Sequence, residues 1–250
     1  MNKFEIAIEN FAKRSGTHIE FPRAALIDMD GTLYDSMPYH ARAWHRLVTE
    51  LGIEATPEEF FGYEGMTGKA TINLLFQREK GRLASDEEAD RLYERKTQYF
   101  KENNNTKVMP GAHKMLDILK KTGITPVLVT GSGQSSLISR LDADFDGAFT
   151  SDLMITSHDV SKGKPDPEPY LKALKLVDIA PNQAIVVENA PLGVKSGHDA
   201  GIFTVGVNTG PLPVELLLEA GADIVFSSMI EFAENLPELL RVINKENNIN

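Results

Sequence analysis

Two aspartates one residue apart, Asp28 and Asp30, directly follow the apolar run Ala24–Ile27. A short apolar run bounded by turn residues is typical of a buried strand, and ligands of open α/β sheets bind at the carboxyl ends of such strands. A carboxylate at the edge of a core carries a desolvation cost unless a cation meets it. The pair therefore indicates a functional site, with an Asp-Gly turn that caps a helix as the alternative interpretation.

Polar side chains also follow two later apolar runs and occupy the loop between these runs. The alternatives are a helix N-cap for Thr130-Gly131-Ser132, a solvated loop lysine for Lys164 and a simple turn for Glu188-Asn189. Because the carboxyl ends of parallel strands lie at one edge of a sheet, we expect all three groups to meet the two aspartates. The groups are Thr130-Gly131-Ser132, Lys164 and Glu188-Asn189.

The chemistry that this set supports is phosphoryl transfer. Asp28 would be the nucleophile that forms an aspartyl-phosphate, and Asp30 would protonate the leaving group and then activate water. Thr130 or Ser132 would hold the transferring phosphoryl oxygens. The backbone N–H groups around Gly131, at the start of a predicted helix, would add to this grip.

Such a reaction also needs positive charge beside the nucleophile. Lys164 would balance the charge between Asp28 and the phosphoryl group. The chain has no cysteine, so the available metal ligands are oxygen atoms, which suit Mg²⁺. A bound Mg²⁺ would let an anionic carboxylate approach an anionic phosphate.

The elements that must position these residues are those of an α/β fold. Repeated βα units predict a Rossmann-like, doubly wound parallel sheet. A helix is predicted over Gln134–Leu141, after the first polar group. The other predicted strands are Ile124–Thr130, Ala184–Val187, Ile202–Val207 and Ile224–Phe226.

The stretch from Met37 to Thr106 differs from the rest of the chain. It contains three helical patterns and almost no strand-like run, and Ser85 opens the third with a capping-box signature. An all-helical block inside an α/β chain predicts an inserted cap. We therefore predict a core domain of residues 1–36 and 107–250 and a cap domain of residues 37–106.

Composition excludes several classes of function. With 26 basic and 36 acidic side chains the net charge is −10, which argues against nucleic acid as a partner. No run approaches the roughly 18 apolar residues of a membrane span, and the first residues do not read as a secretory signal. The lack of cysteine favours a reducing compartment. We expect a cytoplasmic monomer that acts on a small phosphorylated or pyrophosphate substrate.

Four motifs in order, DMDGT, TGS, GKPDPEPY and ENAPLGVKSG, resemble those of the haloacid dehalogenase (HAD) superfamily, within its β-phosphoglucomutase-like branch. The resemblance covers nearly the whole chain after Phe21, including the size and position of the cap. It implies a phosphatase or mutase with Asp28 as nucleophile. It implies that Asp30 is the acid/base and a metal ligand through its backbone carbonyl, and that Glu188 or Asn189 supplies another metal ligand.

Two positions depart from the pattern of this branch. The family commonly has an acid where Asn189 stands. In β-phosphoglucomutase the matching cap loop presents a lysine where Glu64 stands and an arginine where Gly68 stands, and this pair grips the second phosphate of the substrate. A sugar bisphosphate would here meet repulsion. We expect Glu64 to supply the metal with the charge that Asn189 lacks, directly or through water; the alternative is a solvated loop glutamate.

Two further cap residues are candidates for contact with the substrate. Lys96 is a lone cation on an apolar helix face, so it either snorkels to solvent or reaches the cleft to meet an anion. His40, one turn before Trp44, is the second candidate, with a satisfied structural histidine as the alternative.

A cap residue that reaches the core metal requires a tightly closed cap and hence a small substrate. The segments MPYH…AWH, EGMTG…TIN and ENAPLGV also resemble bacterial HAD-type inorganic pyrophosphatases. We therefore expect hydrolysis of inorganic pyrophosphate. A sugar- or polyol-phosphate phosphatase is the alternative, and a mutase comes third. The intact Asp28 and Asp30 disfavour a non-catalytic phosphate-binding regulator.

Overall fold

The protein is described by a computed structural model that covers residues 1–133 and 135–247. Its strands are β1 (Ala24–Ile27), β2 (Thr125–Val129), β3 (Met154–Ile155), β4 (Ala184–Glu188), β5 (Phe203–Val207) and β6 (Ile224–Phe226). They form one sheet in the order β3-β2-β1-β4-β5-β6, and every pairing is parallel. This order confirms the predicted doubly wound α/β fold. The short edge strand β3 was not predicted.

Helices connect the strands and cover both faces of the sheet. Residue Gln134, where a helix was predicted to begin, lies outside the described residues. The helices are α1 (Lys3–Ser15), α2 (Met37–Glu50), α3 (Glu59–Gly62), α4 (Gly68–Lys80), α5 (Asp86–Asn103), α6 (Ala112–Thr122), α7 (Ser135–Ile138), α8 (Leu141–Asp144), α9 (Glu168–Leu176), α10 (Pro191–Asp199), α11 (Val214–Glu219) and α12 (Met229–Asn247).

The central strand β1 is apolar throughout because both of its faces are covered. Successive strand residues point to opposite faces. Ala25 and Ile27 join the larger core cluster, which includes residues of α1, α6 and α12. Ala24 and Leu26 join a second cluster that includes residues of α9. β1 is thus held rigidly between its neighbours, and its last residue delivers the chain to Asp28.

The helices α2 to α5 lie between β1 and β2 in the chain, as the helical pattern predicts. Helix α2 packs against α5 and α3, and α4 packs against α5. The hydroxyl of Ser85 accepts a hydrogen bond of 3.1 Å from the backbone N–H of Glu88, the cap expected at the start of α5. The short α3 was not predicted. The division of the chain into core and cap domains stays a prediction.

Over the part of the chain that the structure covers, no helix combines the length and the apolar character that crossing a membrane requires.

Candidate active site

Three neighbouring strands of the sheet bring the predicted strand-end residues together. β1 lies between β2 and β4, with Ile27 in register with Leu128 on one side and Val187 on the other. Asp28 follows β1, Thr130 follows β2, and Glu188 is the last residue of β4. All three side chains are buried. The polar residues predicted from separate parts of the sequence therefore meet at one edge of the sheet.

Lys164 occupies the centre of this group. Its Nζ lies 2.6 Å from Asp28 Oδ1, 2.6 Å from Glu188 Oε1 and 2.9 Å from the carbonyl oxygen of Val129. Only 2% of the residue is exposed, so it is not a solvated loop lysine. Although burial opposes it, the two carboxylates raise the pKa of Lys164, so the side chain stays an ammonium ion. This cation lies where the predicted attack by Asp28 on a phosphoryl group would require one.

Glu188 is hydrogen-bonded at both carboxylate oxygens. Oε1 accepts from Lys164 and from the hydroxyl of Tyr170, at 2.6 and 3.0 Å. Oε2 accepts from the backbone N–H groups of Asn189 and Ala190, at 3.0 and 3.2 Å. Glu188 is thus placed as the counter-ion of Lys164. Its carboxylate oxygens are less available to a metal than the side-chain oxygen of its neighbour Asn189.

Asp28 carries the acceptor that the surrounding protein leaves unused. Its Oδ2 is buried and has no hydrogen-bond partner within the described part of the chain. Burial raises the pKa of Asp28 to about 8, with Glu188 and Asp30 acting in the same direction and Lys164 against it. A buried acid among other acids is stabilised by a nearby cation. A bound Mg²⁺ would fit the site because it would give this unpartnered Asp28 oxygen a cation to bind.

The protein donors for such an ion are few. Among the described residues, no three or more His, Cys, Asp or Glu side chains are arranged to hold a metal. Mg²⁺ commonly uses one or two carboxylates together with water and substrate phosphate. Asp28, the backbone of Asp30, the amide oxygen of Asn189 and Glu64 are compatible with that mode of binding.

Glu64 reaches the core site from the loop before α4. The amide Nδ2 of Asn189 donates to Glu64 Oε1 at 2.7 Å, and the hydroxyl of Thr32 donates to Asn189 Oδ1 at 3.1 Å. Glu64 is 8% exposed, which excludes the solvated-loop alternative. Burial, followed by the charge of Asp28, raises the pKa of Glu64 well above its usual range. The carboxyl group therefore requires either a proton or a cation.

Gly31 makes room for this contact. Its backbone φ is +78°, and a Cβ there would lie 2.0 Å from Asn189 Nδ2 and 2.7 Å from Glu64 Oε1. No side chain is compatible with both the backbone conformation and the occupied space. The glycine of the DMDGT motif is thus a condition for the Glu64–Asn189 hydrogen bond.

Asp30 is held by two donors on one oxygen. Its Oδ1 accepts from the hydroxyl of Ser36 at 2.6 Å and lies 3.0 Å from His40 Nε2. Because a carboxylate only accepts, Nε2 carries the proton, and Nδ1 of the same ring accepts from Lys96 Nζ at 2.6 Å. His40 is therefore buried between Asp30 and Lys96 and is not a free ligand for substrate.

The three groups shift one another's protonation. Although burial acts against it, His40 lowers the pKa of Asp30. Burial and the charge of Lys96 lower the pKa of His40, which keeps the imidazole neutral. Burial lowers the pKa of Lys96 to about 7. Lys96 is 2% exposed and does not snorkel; the residue lines the cleft, and its Nζ is linked to Asp30 through His40.

The space above Asp28 is a cavity of about 60 Å³, lined from the core by Asp28, Asp30 and Thr130 and from the helical block by Glu64 and Lys96. This volume holds on the order of five water molecules.

Gly68 shows how the cavity is kept small. A Cβ at Gly68 would lie 2.1 Å from a ring carbon of Tyr93, so this ring fills the space where a longer side chain would begin. Tyr93 also lines the cavity. The position at which the mutase pattern has an arginine is therefore physically blocked.

The loop that is predicted to hold phosphate follows β2. The hydroxyl of Thr130 accepts from the backbone N–H of Ser132 at 3.0 Å, and both residues line the cavity with Gly131. The helix predicted over Gln134–Leu141 is instead two short helices, α7 and α8. A four-residue helix contributes little dipole. Loop N–H groups and hydroxyls would therefore hold a phosphate more than a helix end would.

The cap loop presses directly on this core loop. A Cβ at Gly131 would lie 2.2 Å from the carbonyl oxygen of Gly65, and one at Gly163 would lie 2.7 Å from the side chain of Thr67. Backbone of the helical block thus touches the loops that carry Thr130 and Lys164. The arrangement is that of a closed site.

Four residues of the site escaped sequence reasoning. Ser36, Thr32 and Tyr170 act through hydroxyls, and neither polar pattern nor spacing distinguishes these from ordinary capping or core positions. Tyr93 has the spacing of a core residue on α5. It is partly buried, packs against the core and forms part of the cavity wall. Two motifs carried a usable signal: DMDGT, which ends in Thr32, and GKPDPEPY, which ends in Tyr170.

The chain is similar to several known proteins. Residues 25–207 match the model of the family described as haloacid dehalogenase-like hydrolase. Hexitol phosphatase A of Escherichia coli is 34% identical over 186 residues, which are 73% of this chain and 82% of that protein. The "Putative pyrophosphatase PpaX" of Clostridium perfringens is 30% identical over 220 residues, 87% of this chain and 98% of that one. A solved structure named "Putative beta-phosphoglucomutase from Bacteroides vulgatus" is 45% identical with a TM-score of 0.92, covering 97% of this chain and 98% of that chain.

Proposed function

Since the chain belongs to the haloacid dehalogenase-like hydrolases and is a phosphatase of that family, we propose that its substrate is inorganic pyrophosphate. The observation that carries this proposal is the contact between Glu64 and Asn189, which holds Glu64 against a cavity of about 60 Å³ over Asp28. A leaving group as small as phosphate is compatible with that volume. A hexose would require the closed contact to open.

The reaction would proceed in two steps at Asp28. A carboxylate oxygen of Asp28 forms a bond to the near phosphorus while the bridging P–O bond breaks, and Asp30 gives a proton to the departing phosphate. Asp30 then takes a proton from water as the water oxygen attacks the aspartyl-phosphate, which returns Asp28 as a carboxylate. Lys164 neutralises Asp28, and Thr130 and Ser132 hold the phosphoryl oxygens.

Mg²⁺ fits this site through Asp28, the backbone carbonyl of Asp30, Asn189 and Glu64. When bound, it would supply the positive charge that offsets the phosphates and the clustered acids. Glu64 replaces the lysine of the mutase pattern, so the same loop that would repel a second sugar phosphate completes the metal site. Glu188 contributes indirectly, as the counter-ion of Lys164.

A second candidate function is hydrolysis of a hexitol or other polyol phosphate. The observation in its favour is the 34% identity to hexitol phosphatase A, whose matched region covers 73% of this chain. It would require a cap that opens further around Tyr93 than the closed contact allows. A mutase is disfavoured because Glu64 and Gly68 stand where the mutase pattern has two cations.

The experiment is a phosphate-release screen in Mg²⁺ with pyrophosphate, hexitol phosphates, hexose phosphates and glycerol phosphate. We expect kcat/KM for pyrophosphate to exceed that for each ester by at least about tenfold. An ester would require the contact between Glu64 and Asn189 to open, and the loss of that one contact in the transition state would lower kcat/KM by about this factor. An ester that matches or exceeds pyrophosphate would overturn the substrate proposal and favour the polyol phosphatase. Interconversion of sugar phosphates without phosphate release would favour a mutase.

The proposal also covers the state in which the protein acts. We propose a core of residues 1–36 and 107–250 with a cap of residues 37–106, acting as a cytoplasmic monomer without nucleic-acid or membrane partners. Light scattering on the purified protein, at the concentration used for the screen, tests the monomer. A dimer mass would contradict it.

A further inference from the structure

Tyr170 is a buried residue of α9 that the reaction described above does not use. It is fully buried, and its ring belongs to the second core cluster. Phenylalanine would serve the packing equally well, whereas a buried hydroxyl is costly unless it is hydrogen-bonded. The hydroxyl of Tyr170 donates to Glu188 Oε1 at 3.0 Å. Its partner is therefore the counter-ion of the active-site lysine.

The position of Lys164 depends on that counter-ion. The three protons of its ammonium group are matched by three acceptors: Asp28 Oδ1, Glu188 Oε1 and the Val129 carbonyl oxygen. The same Oε1 atom receives both Lys164 and Tyr170. The ammonium nitrogen also lies 5.2 Å from the centroid of the Tyr170 ring. Tyr170 therefore touches both members of the ion pair.

Glu188 has little freedom on its other sides. Backbone N–H groups of Asn189 and Ala190 hold Oε2. A Cβ at Gly193 would lie 1.8 Å from Oε1, so the start of α10 closely confines the carboxylate. The Tyr170 hydroxyl is the remaining contact that orients Oε1, because Lys164 itself is the group being oriented.

We propose that Tyr170 is a positioning residue: its hydroxyl fixes the Glu188 carboxylate, and this carboxylate holds the Lys164 ammonium against Asp28. The inference rests on the proposed roles of Asp28 and Lys164 but not on the identity of the substrate. Without the Tyr170 hydroxyl, Lys164 is the single remaining donor to Glu188 Oε1, and the carboxylate group of Glu188 rotates. Lys164 then moves with it, and Asp28 loses part of its charge balance.

This role affects the chemical step more than the binding of metal. Asn189 and Glu64, two of the four candidate metal ligands, do not touch Tyr170 through any described hydrogen bond. We therefore expect Tyr170→Phe to lower kcat by about tenfold, the usual size of a lost hydrogen bond to a charged group. The Mg²⁺ concentration at half-maximal rate should stay within about twofold of the wild type, because the metal ligands remain in place.

The control is a matched tyrosine far from the site. Tyr99 is also buried, and its hydroxyl donates to the carboxylate of Glu50 at 2.6 Å, within the helical block. Tyr99→Phe removes the same kind of hydrogen bond. We expect it to leave kcat unchanged within about twofold, since nothing at the site depends on it. Melting temperatures of both variants show whether either one acts through stability alone.

The decisive experiment is a double-mutant cycle of Tyr170→Phe and Glu188→Gln, assayed with both pyrophosphate and p-nitrophenyl phosphate. If Tyr170 acts through Glu188, the double variant is no slower than Glu188→Gln alone. Losses in kcat that multiply would overturn the proposal, as would a Tyr170→Phe variant within twofold of the wild type. A wild type that prefers p-nitrophenyl phosphate would contradict the pyrophosphate proposal while leaving this cycle readable.

Discussion

The side-chain amide of Asn189 donates a 2.7 Å hydrogen bond to the carboxylate of Glu64, from which it is separated by 125 residues of chain. Asn189 follows β4 in the sheet, and Glu64 lies in the loop before α4. The residue whose neutral amide replaces the acid of the family pattern is thus bonded to an acid from the helical block. In the proposed Mg²⁺ site, this pair would join a ligand from the sheet to a ligand from the helical block.

The first prediction concerns the charge of Glu64. Glu64→Gln keeps an oxygen that accepts from Asn189 but removes the negative charge, whereas Glu64→Ala removes both. We expect both variants to raise the half-saturating Mg²⁺ concentration by about tenfold, since one charged ligand is lost. Inhibition by inorganic phosphate should change less. Titration of activity with Mg²⁺, and of Mg²⁺ binding by calorimetry, measures the effect.

Glu58→Gln is the matched control, because Glu58 is an exposed glutamate shortly before the same loop. Its Mg²⁺ dependence should equal that of the wild type. If the Glu64 variants also show unchanged Mg²⁺ affinity, Glu64 has no part in the metal site.

The second prediction concerns the nucleophile. Asp28→Asn removes the attacking carboxylate while preserving its size, so we expect turnover of every phosphate substrate to fall by more than about 1,000-fold. Circular dichroism should show an intact fold. Residual activity above that limit, after exclusion of contaminating phosphatase, would mean that another residue is the nucleophile.

The third prediction follows from the buried Lys96, which faces His40, Asp30 and the ring of Tyr93. Its pKa is lowered to about 7 by burial. In the unfolded chain the pKa of a lysine side chain is near 10.4. Between these two values the unfolded chain holds the extra proton, so stability rises as pH increases from about 7 to about 10.4. On acidification this gain is lost over the same interval, and it is fully lost below pH 7.

We therefore expect the free energy of unfolding of the wild type, relative to Lys96→Met, to increase by about 2 kcal/mol between pH 7 and pH 9. Urea unfolding of the metal-free proteins at both pH values measures this difference. Lys101→Met, an exposed lysine of the same helix, should show no such change. A flat difference for Lys96→Met would show that Lys96 is charged throughout this range.

The fourth prediction concerns Gly131. An added methyl group would lie 2.2 Å from the carbonyl oxygen of Gly65, so Gly131→Ala prevents the cap loop from seating on the core. We expect kcat/KM for pyrophosphate to fall by at least about tenfold, as expected from misplaced catalytic groups. The melting temperature should change little, because the open form avoids the clash.

Gly62→Ala provides the comparison, since nothing lies within 4 Å of a Cβ at that position of α3. It should keep wild-type kinetics. Wild-type kinetics for Gly131→Ala as well would mean that turnover does not pass through the closed contact.

The residues at the strand ends were predictable, because apolar runs that stop at Asp28, Thr130 and Glu188 leave few alternatives for a parallel sheet. The long stretches of sequence between those strands did not affect this prediction, because the sheet order places β2 and β4 beside β1. Lys164 was predictable for its charge but not for its burial. Its three acceptors exist only in the folded structure.

The residues that act through tertiary contact were beyond sequence reasoning. Lys96 reads equally well as a snorkelling lysine, and its contact with His40 joins two helices, α2 and α5, whose packing no local pattern specifies. The single helix predicted after Thr130 is instead interrupted between α7 and α8. Propensity sets local structure only where tertiary packing does not override it.

The contact between Lys164 and Asp28 spans 136 residues of chain, and Glu188 lies beyond both. During synthesis, therefore, the nucleophile leaves the ribosome long before its cation and counter-ion do. Since domains fold as units when their non-local strands pair, the aspartates remain an unpaired acidic edge until β4 joins β1. We therefore expect a chain that ends before β4 to lack hydrolytic activity, since neither Glu188 nor the pairing of β4 with β1 is yet present.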